Sequence, residues 1–153
     1  MGSVALPGGR VPYRWGEILH FTEGGNAVPF FGDGWSRPEA GIVWTQSQNA
    51  RLSFSINPPK SDVLLIISCL PFLVEKQIPH QELHVYVNFL RVGFSLIPGP
   101  GEVEFRIPAR VFGTSELDID FYLPKACSPA AIGTGQDVRD LGLAVNQFVM
   151  FEN

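Results

Sequence analysis

Apolar and polar positions alternate with a period of two over much of this chain. Leu52, Phe54 and Ile56 alternate with Arg51, Ser53 and Ser55; Leu83, Val85 and Val87 alternate with His84, Tyr86 and Asn88. Val103, Phe105 and Ile107 follow the same rule against Glu102, Glu104 and Arg106, as do Leu117, Ile119 and Phe121 against Glu116, Asp118 and Asp120. Successive side chains of a strand point to opposite faces, so each run predicts a strand with one buried face and one wet face. The near-continuous apolar run 63–73 predicts a central strand covered on both faces. Residues 18–21 predict a first strand, and 92–97 the return arm of a hairpin begun at 83–88. In the last run the alternation holds through Leu143 and Val145 and slips at Asn146-Gln147, which predicts a bulge. The predicted strands centre on residues 50–56, 63–70, 83–88, 103–107, 117–121 and 142–150.

Turn residues punctuate these runs. Pro98-Gly99-Pro100-Gly101 is the strongest turn signal, and Asn57-Pro58-Pro59-Lys60-Ser61-Asp62 is a second. Residues 108–112 predict a single helical turn with proline at its start, and 124–140 a long loop. No segment sustains a helical period and nothing repeats. The fold class that follows is all-β, an antiparallel two-sheet sandwich of jelly-roll type with about eight or nine strands. Residues 1–15 read as an irregular N-terminal arm and 16–153 as a single domain. Because the chain runs out on its final strand, that strand is expected to pair near the first and close an edge.

Composition narrows the function classes. Of 153 residues, 45% are hydrophobic and 17% charged, which is a folded chain and not a disordered one. A net charge of −4 without a basic run argues against nucleic acid or an anionic membrane as partner. The longest apolar run is too short to span a bilayer, so no membrane insertion is expected. The stretch MGSVALPGGRVPYRWGE lacks a charged segment followed by an apolar one, so no signal peptide is expected and a reducing cytoplasm is the default. Cys69 reads as a small buried hydrophobe and Cys127 as a loop residue; a bridge between them stays open.

The usual catalytic motifs are missing: no G-x-S-x-G, H-E-x-x-H, C-x-x-C or phosphate-binding loop occurs. His20, His80 and His84 form no tight pair, so neither a metal nor a cofactor is expected. Asp118 and Asp120 point the same way from one strand, where an acid/base pair could sit. The alternation around them already accounts for them as a wet face, and no catalytic residue is assigned.

Residues 30–54, FFGDGWSRPEAGIVWTQSQNARLSF, concentrate the chemistry that remains. Gly32 and Gly34 make a turn before Trp35, with Arg37, Glu39 and Trp44 close behind. Trp44 reads as a plug at the end of the sandwich; Trp35 reads either as a second plug or as an aromatic platform at a loop tip. Downstream, Asp137 and Arg139 lie just before the last strand. Arg139 is a fitting partner for Glu39 or a neighbouring carboxylate, predicting a clamp that ties the 34–44 loop to the 128–140 loop.

The succession GGNA at 24–27, GWSRPE at 34–39, Trp44, ARLSF at 50–54, QELHVYVN at 81–88, Ile107-Pro108-Ala109, Ser128-Pro129 and Asp137-x-Arg139-x-Leu141-Gly142 resembles a β-sandwich domain of bacterial surface-polysaccharide proteins. The resemblance spans residues 15–151 and implies an accessory module attached to glycosyltransferases or related envelope enzymes. One departure stands out. Where the resemblance has Val-Asn-Gly, this chain has Val87-Asn88-Phe89, which predicts a longer or differently bent hairpin. The leading expectation is therefore a non-catalytic carbohydrate-binding or accessory module for surface-glycan assembly, partnered by a glycan or a glycosyltransferase domain. Its ligand residues are expected to be Trp35, Arg37, His84, Tyr86 and Asn88. The alternatives are a structural interaction domain and a small-glycan enzyme using Asp118 with Asp120, or Glu39 with Asp137.

Overall fold

The computed structural model describes residues 9–153. They form nine strands: β1 (Ile18–His20), β2 (Val43–Trp44), β3 (Asn49–Ser55), β4 (Val63–Pro71), β5 (Gln81–Val87), β6 (Leu90–Ile97), β7 (Gly101–Ile107), β8 (Glu116–Tyr122) and β9 (Leu143–Glu152). One sheet has the order β1–β9–β4–β7, with β2 also paired to β9; the other has the order β3–β8–β5–β6. All pairings between these strands are antiparallel. The two sheets face each other as a sandwich, as the alternation predicts.

The inward side chains meet in one core. Leu52, Phe54, Leu65, Ile67, Val85, Ile119, Phe121 and Phe148 are fully buried. The rings of Phe54 on β3 and Phe148 on β9 stack across the two sheets, 5.8 Å between centroids. The β6–β7 connection, turning through the Pro98-Gly99-Pro100 signal, carries the chain from one sheet to the other. Residues 109–111 make one 3-10 turn after Pro108. On β9 the register slips between Gln147, opposite Ser68, and Val145, opposite Cys69. Asn146 is the extra residue, and its side-chain amide donates to the Gly41 carbonyl at 2.9 Å.

One expectation changes, and two further details are added. β4 is central, but only its inner face is buried; Leu64, Ile66, Ser68 and Leu70 are half-exposed. Its apolar outer positions lean on cross-strand neighbours such as Val149 and Phe151, not on a third layer. The N-terminal arm, whose residues 1–8 lie outside the described part, is not separate from the domain by residue 15. Tyr13 N–H donates to the Ser55 carbonyl and Ser55 N–H to the Val11 carbonyl, so residues 11–13 cap the end of β3's free edge, while residues 31–33 bond it at Arg51 and Leu52. Tyr13 is buried, and its hydroxyl accepts from Met150 N–H at 2.9 Å. Finally, Cys69 and Cys127 are free thiols; burial pushes the Cys69 thiol up to about 12.

Gly34 decides how the 30–54 stretch enters the fold. It sits at φ +99, and a Cβ there would lie 2.0 Å from the Asn49 carbonyl oxygen. Gly34→Ala therefore combines a backbone conformation that L residues avoid with a collision against β3 backbone, and is expected to cost at least about 2 kcal/mol. Urea denaturation measures this as a lower midpoint with unchanged slope.

Candidate functional site

Strand pairing builds a candidate site on the outer face of the β3–β8–β5–β6 sheet. Register puts Arg51 beside Asp120, Asp120 beside Tyr86, and Tyr86 beside Arg91. The adjacent row runs Asn49, Tyr122, His84, Phe94. Side chains of one row stand about 5 Å apart and those of neighbouring rows remain within reach of long or aromatic groups. Together with Phe89 from the β5–β6 turn, these rows enclose a depression of about 400 Å³ lined by Asn49, Arg51, Tyr86, Phe89, Asp120 and Tyr122.

Its floor is a charge-paired network. Asp120 accepts from Arg51 Nε at 3.0 Å and Arg51 Nη2 at 3.2 Å, and from Asn49 Nδ2 at 3.0 Å. One step along β8, Asp118 accepts from Arg10 Nη1 at 2.8 Å, Arg10 Nη2 at 3.3 Å and the Ser53 hydroxyl at 2.7 Å. Both acids point outward, yet Asp118 is only 8% exposed and Asp120 only 5%. The expectation of a wet face fails here because arginines from β3 and from the N-terminal segment lie over the carboxylates. Burial alone would raise the Asp118 carboxyl; Arg10, Ser53 and Arg51 outweigh it and hold the group below the ordinary carboxylate range.

That electrostatic arrangement bears on chemistry. A glycosidic general acid needs a carboxyl raised towards neutrality, whereas Asp118 is lowered and both Asp120 oxygens already accept hydrogen bonds. The groups that remain available are of another kind. Among the described residues Arg51 Nη1, Asn49 Oδ1 and the hydroxyls of Tyr86 and Tyr122 have no protein hydrogen-bond partner. Planar donors and acceptors beside aromatic faces suit a ligand with hydroxyls on its rim and C–H groups on its faces. Among the described residues no three His, Cys, Asp or Glu side chains gather as a metal cluster, and no helix is long and apolar enough to cross a membrane.

Of the residues expected to bind ligand, the depression takes Tyr86, with His84 next to it, its ring 5.6 Å from Tyr122 and 4.8 Å from Phe94. Asn88 does not share their face. β5 ends at Val87, and Asn88 (φ +47) and Phe89 (φ +70) form the two central positions of a tight turn. The hairpin is thus not longer but bent: its turn has two residues, and its register slips between Val85 and Tyr86, where Val92 is the extra residue. The Asn88 side chain is spent on β8: its Oδ1 accepts from Asp118 N–H at 2.8 Å and its Nδ2 donates to the Glu116 carbonyl. Trp35 is not at a loop tip. Gly34 turns it inward, where it is 8% exposed, stacked on Phe31 at 5.2 Å and tilted against Phe21. Its indole N–H donates to the Arg51 carbonyl at 2.8 Å, so it supports the floor of the depression from beneath. Arg37 is exposed and lines no part of that depression.

The loop-clamp residues do meet. Arg139 donates to Asp137 through Nη2 at 2.6 Å and Nε at 3.0 Å, to Ser36 Oγ at 2.8 Å, and lies 3.6 Å from Glu39. The cluster is half-exposed, and the bond from Arg139 draws the Asp137 carboxyl down to about 2. Sequence reading missed Asn49, Arg51, Phe89 and Tyr122 as site residues, and considered Asp120 only as one half of an acid/base pair with Asp118. The alternation had placed Arg51 and Asp120 on outer faces, but only the β3–β8 pairing sets them side by side. Phe89 did leave a signal, as a bulky aromatic where the resemblance has glycine.

No protein-family model matches the chain, and no curated protein sequence matches it. Solved structures do match its fold. A carbohydrate-binding module, CBM36-1, of a multidomain xylanase from the hindgut metagenome of Trinervitermes trinervoides matches at a TM-score of 0.52 and 12% identity, over 90% of this chain and 97% of that one. A family GH115 4-O-methyl-α-glucuronidase with specificity for decorated arabinogalactans matches at a TM-score of 0.51 and 12% identity, over 75% of this chain. Only 15% of the glucuronidase chain is spanned. At these identities the likeness establishes the β-sandwich fold.

Two outcomes follow from the ion pairs. The unfolded Asp118 carboxyl titrates near 3.9 and the folded one lower, so its stabilisation is fully present above that value and is lost as pH falls through the folded pKa. Denaturation midpoints measured from pH 7 downwards should show this acid limb weakened in Asp118→Asn; Arg10→Ala at pH 7 should cost about 2 kcal/mol. Arg139→Ala, by contrast, removes a half-exposed ion pair and should lower the melting temperature by no more than about 4 °C.

Proposed function

We propose that this domain is a non-catalytic carbohydrate-binding module that seats a glycan in the depression on the β3–β8–β5–β6 face. The carrying observation is the pairing of Tyr86 and Tyr122 with the Arg51–Asp120–Asn49 floor. A sugar ring offers C–H faces that stack on aromatic rings and hydroxyls that bond planar amide, guanidinium and carboxylate groups. The floor is already ion-paired, so it presents fixed donors and acceptors without an unpaired buried charge. The fold likeness to the carbohydrate-binding module of a xylanase supports the same reading. The motif succession 24–142 supports a setting in bacterial surface-polysaccharide assembly, with the domain acting as an accessory module beside a glycosyltransferase.

One observation favours a second reading, a docking domain for such a catalytic partner. On the outer face of the other sheet Ile18, Val149 and Ile66 lie in one row, with Leu64 and Phe151 in the next. This apolar stripe faces away from the depression, so the two readings are separable by experiment.

Calorimetric titration with bacterial surface oligosaccharides, xylotetraose and cellotetraose should give binding in the sub-millimolar range for at least one of them. Tyr86→Ala and Tyr122→Ala should each weaken it at least about tenfold, equivalent to about 1.4 kcal/mol, with an unchanged far-UV spectrum. If no sugar binds at millimolar concentration, or if both variants bind like the parent, the docking reading replaces this one.

A further inference from the structure

Phe89 combines a backbone conformation and an exposure that folding alone does not favour. Its φ of +70 lies in the left-handed region, where a side chain meets the following carbonyl and where tight hairpin turns favour glycine. Asn88, also left-handed at φ +47, is a residue type that tolerates the region, and it recovers stability through two bonds to the β8 backbone. Phe89 has no such return. It is 72% exposed, the most exposed aromatic ring among the large hydrophobics at the surface. Its described contact is with the Arg51 guanidinium, 5.1 Å from the ring centroid. At an exposed site such a contact is weak beside the strain of the backbone it rests on.

The position of the ring supplies a reason for keeping it. Phe89 lines the depression, and Arg51 lies with the Asp120 carboxylate bonded to its Nε and Nη2 and with the Phe89 ring against its face. The guanidinium plane is fixed by both neighbours, leaving Nη1 free of protein partners among the described residues. A ligand can then set a ring face on Phe89 while its hydroxyls reach Nη1.

We infer, resting on the glycan-binding reading above, that Phe89 is a ligand-contacting platform retained against the stability of its own turn, and that it selects sugars presenting an apolar C–H ring face beside hydroxyls. Phenylalanine has no polar handle, so the discrimination it adds is against rings whose accessible face carries axial hydroxyls. The ring also positions Arg51, so its removal loosens the polar contact as well as the stacking.

The test compares the parent with Phe89→Gly, Phe89→Leu and Phe89→Tyr, using thermal melts and the same calorimetric titration with surface oligosaccharides, xylotetraose and cellotetraose. Phe89→Gly should melt about 2–4 °C higher than the parent and bind at least about tenfold more weakly. Phe89→Leu should keep the parent's melting temperature and lose binding similarly, because bulk without a ring face does not stack. Phe89→Tyr should keep both properties. If Phe89→Gly melts at or below the parent, the turn carries no strain and the inference fails. If Phe89→Gly or Phe89→Leu binds like the parent while Tyr86→Ala does not, Phe89 is no platform although the glycan-binding reading stands. If the parent binds no sugar, that reading falls and the inference falls with it.

Discussion

Two carboxylates on the outward side of β8 set the terms for the rest of this structure. Asp118 and Asp120 face away from the core and are nevertheless almost without solvent. A charge withdrawn from water must be met by opposite charge and hydrogen bonds, or it destabilises the fold by several kcal/mol. Arg10 meets one and Arg51 the other, each with two nitrogens on the carboxylate. The requirement ties four elements together: the N-terminal segment, β3, β8 and, through Asn88, the β5–β6 turn that bonds the Asp118 N–H. Such pairs contribute little net stability against an apolar replacement, but they specify register strongly. A one-residue slip of β3 against β8 would turn Arg51 and Ser53 into the core and leave Asp120 without its arginine.

The same network forms the floor of the depression. Arg51 is fixed from below by Asp120 and by Trp35, which holds its carbonyl, and from the side by Phe89. Three features read in isolation from the sequence (a tryptophan after two glycines, an arginine on a strand, an aspartate on another) thus meet at Arg51, the tryptophan on its backbone and the aspartate on its guanidinium. Asp118 is held below the ordinary carboxylate range, and each of the two carboxylates accepts three hydrogen bonds, so both anchor the arginines that lie over them. A sandwich fold by itself says nothing about this; the placement of the polar groups does.

Much of the fold was legible because antiparallel strands with one buried face leave a period of two in the sequence. β3, β5, β7 and β8 fall where Leu52, Val85, Phe105 and Ile119 alternate with polar neighbours, and the slip at Asn146 is a true bulge. The alternation fails where it must. It assigns a residue to a face but not to a neighbour, so Asp118 and Asp120 looked wet until the arginines of other segments came to lie over them. It cannot tell a loop-tip tryptophan from a buried one, because the direction of Trp35 depends on the φ of Gly34 and on the β3 backbone it approaches. Nor did it anticipate that Asn88 lies in the turn, one residue beyond the end of β5: Phe89 occupies a left-handed position that turn chemistry reserves for smaller residues.

The central claim is that ligand meets this chain on the outer face of the β3–β8–β5–β6 sheet, over the Arg51–Asp120 pair. Backbone amide chemical-shift mapping during titration with an oligosaccharide that binds tests it most directly. The account predicts perturbations concentrated at Asn49, Arg51, Tyr86, Phe89, Asp120 and Tyr122, with the indole N–H of Trp35 shifting through its bond to Arg51. Perturbations concentrated instead in the 34–44 and 128–140 loops, with the β8 and β5 amides unmoved, would contradict it.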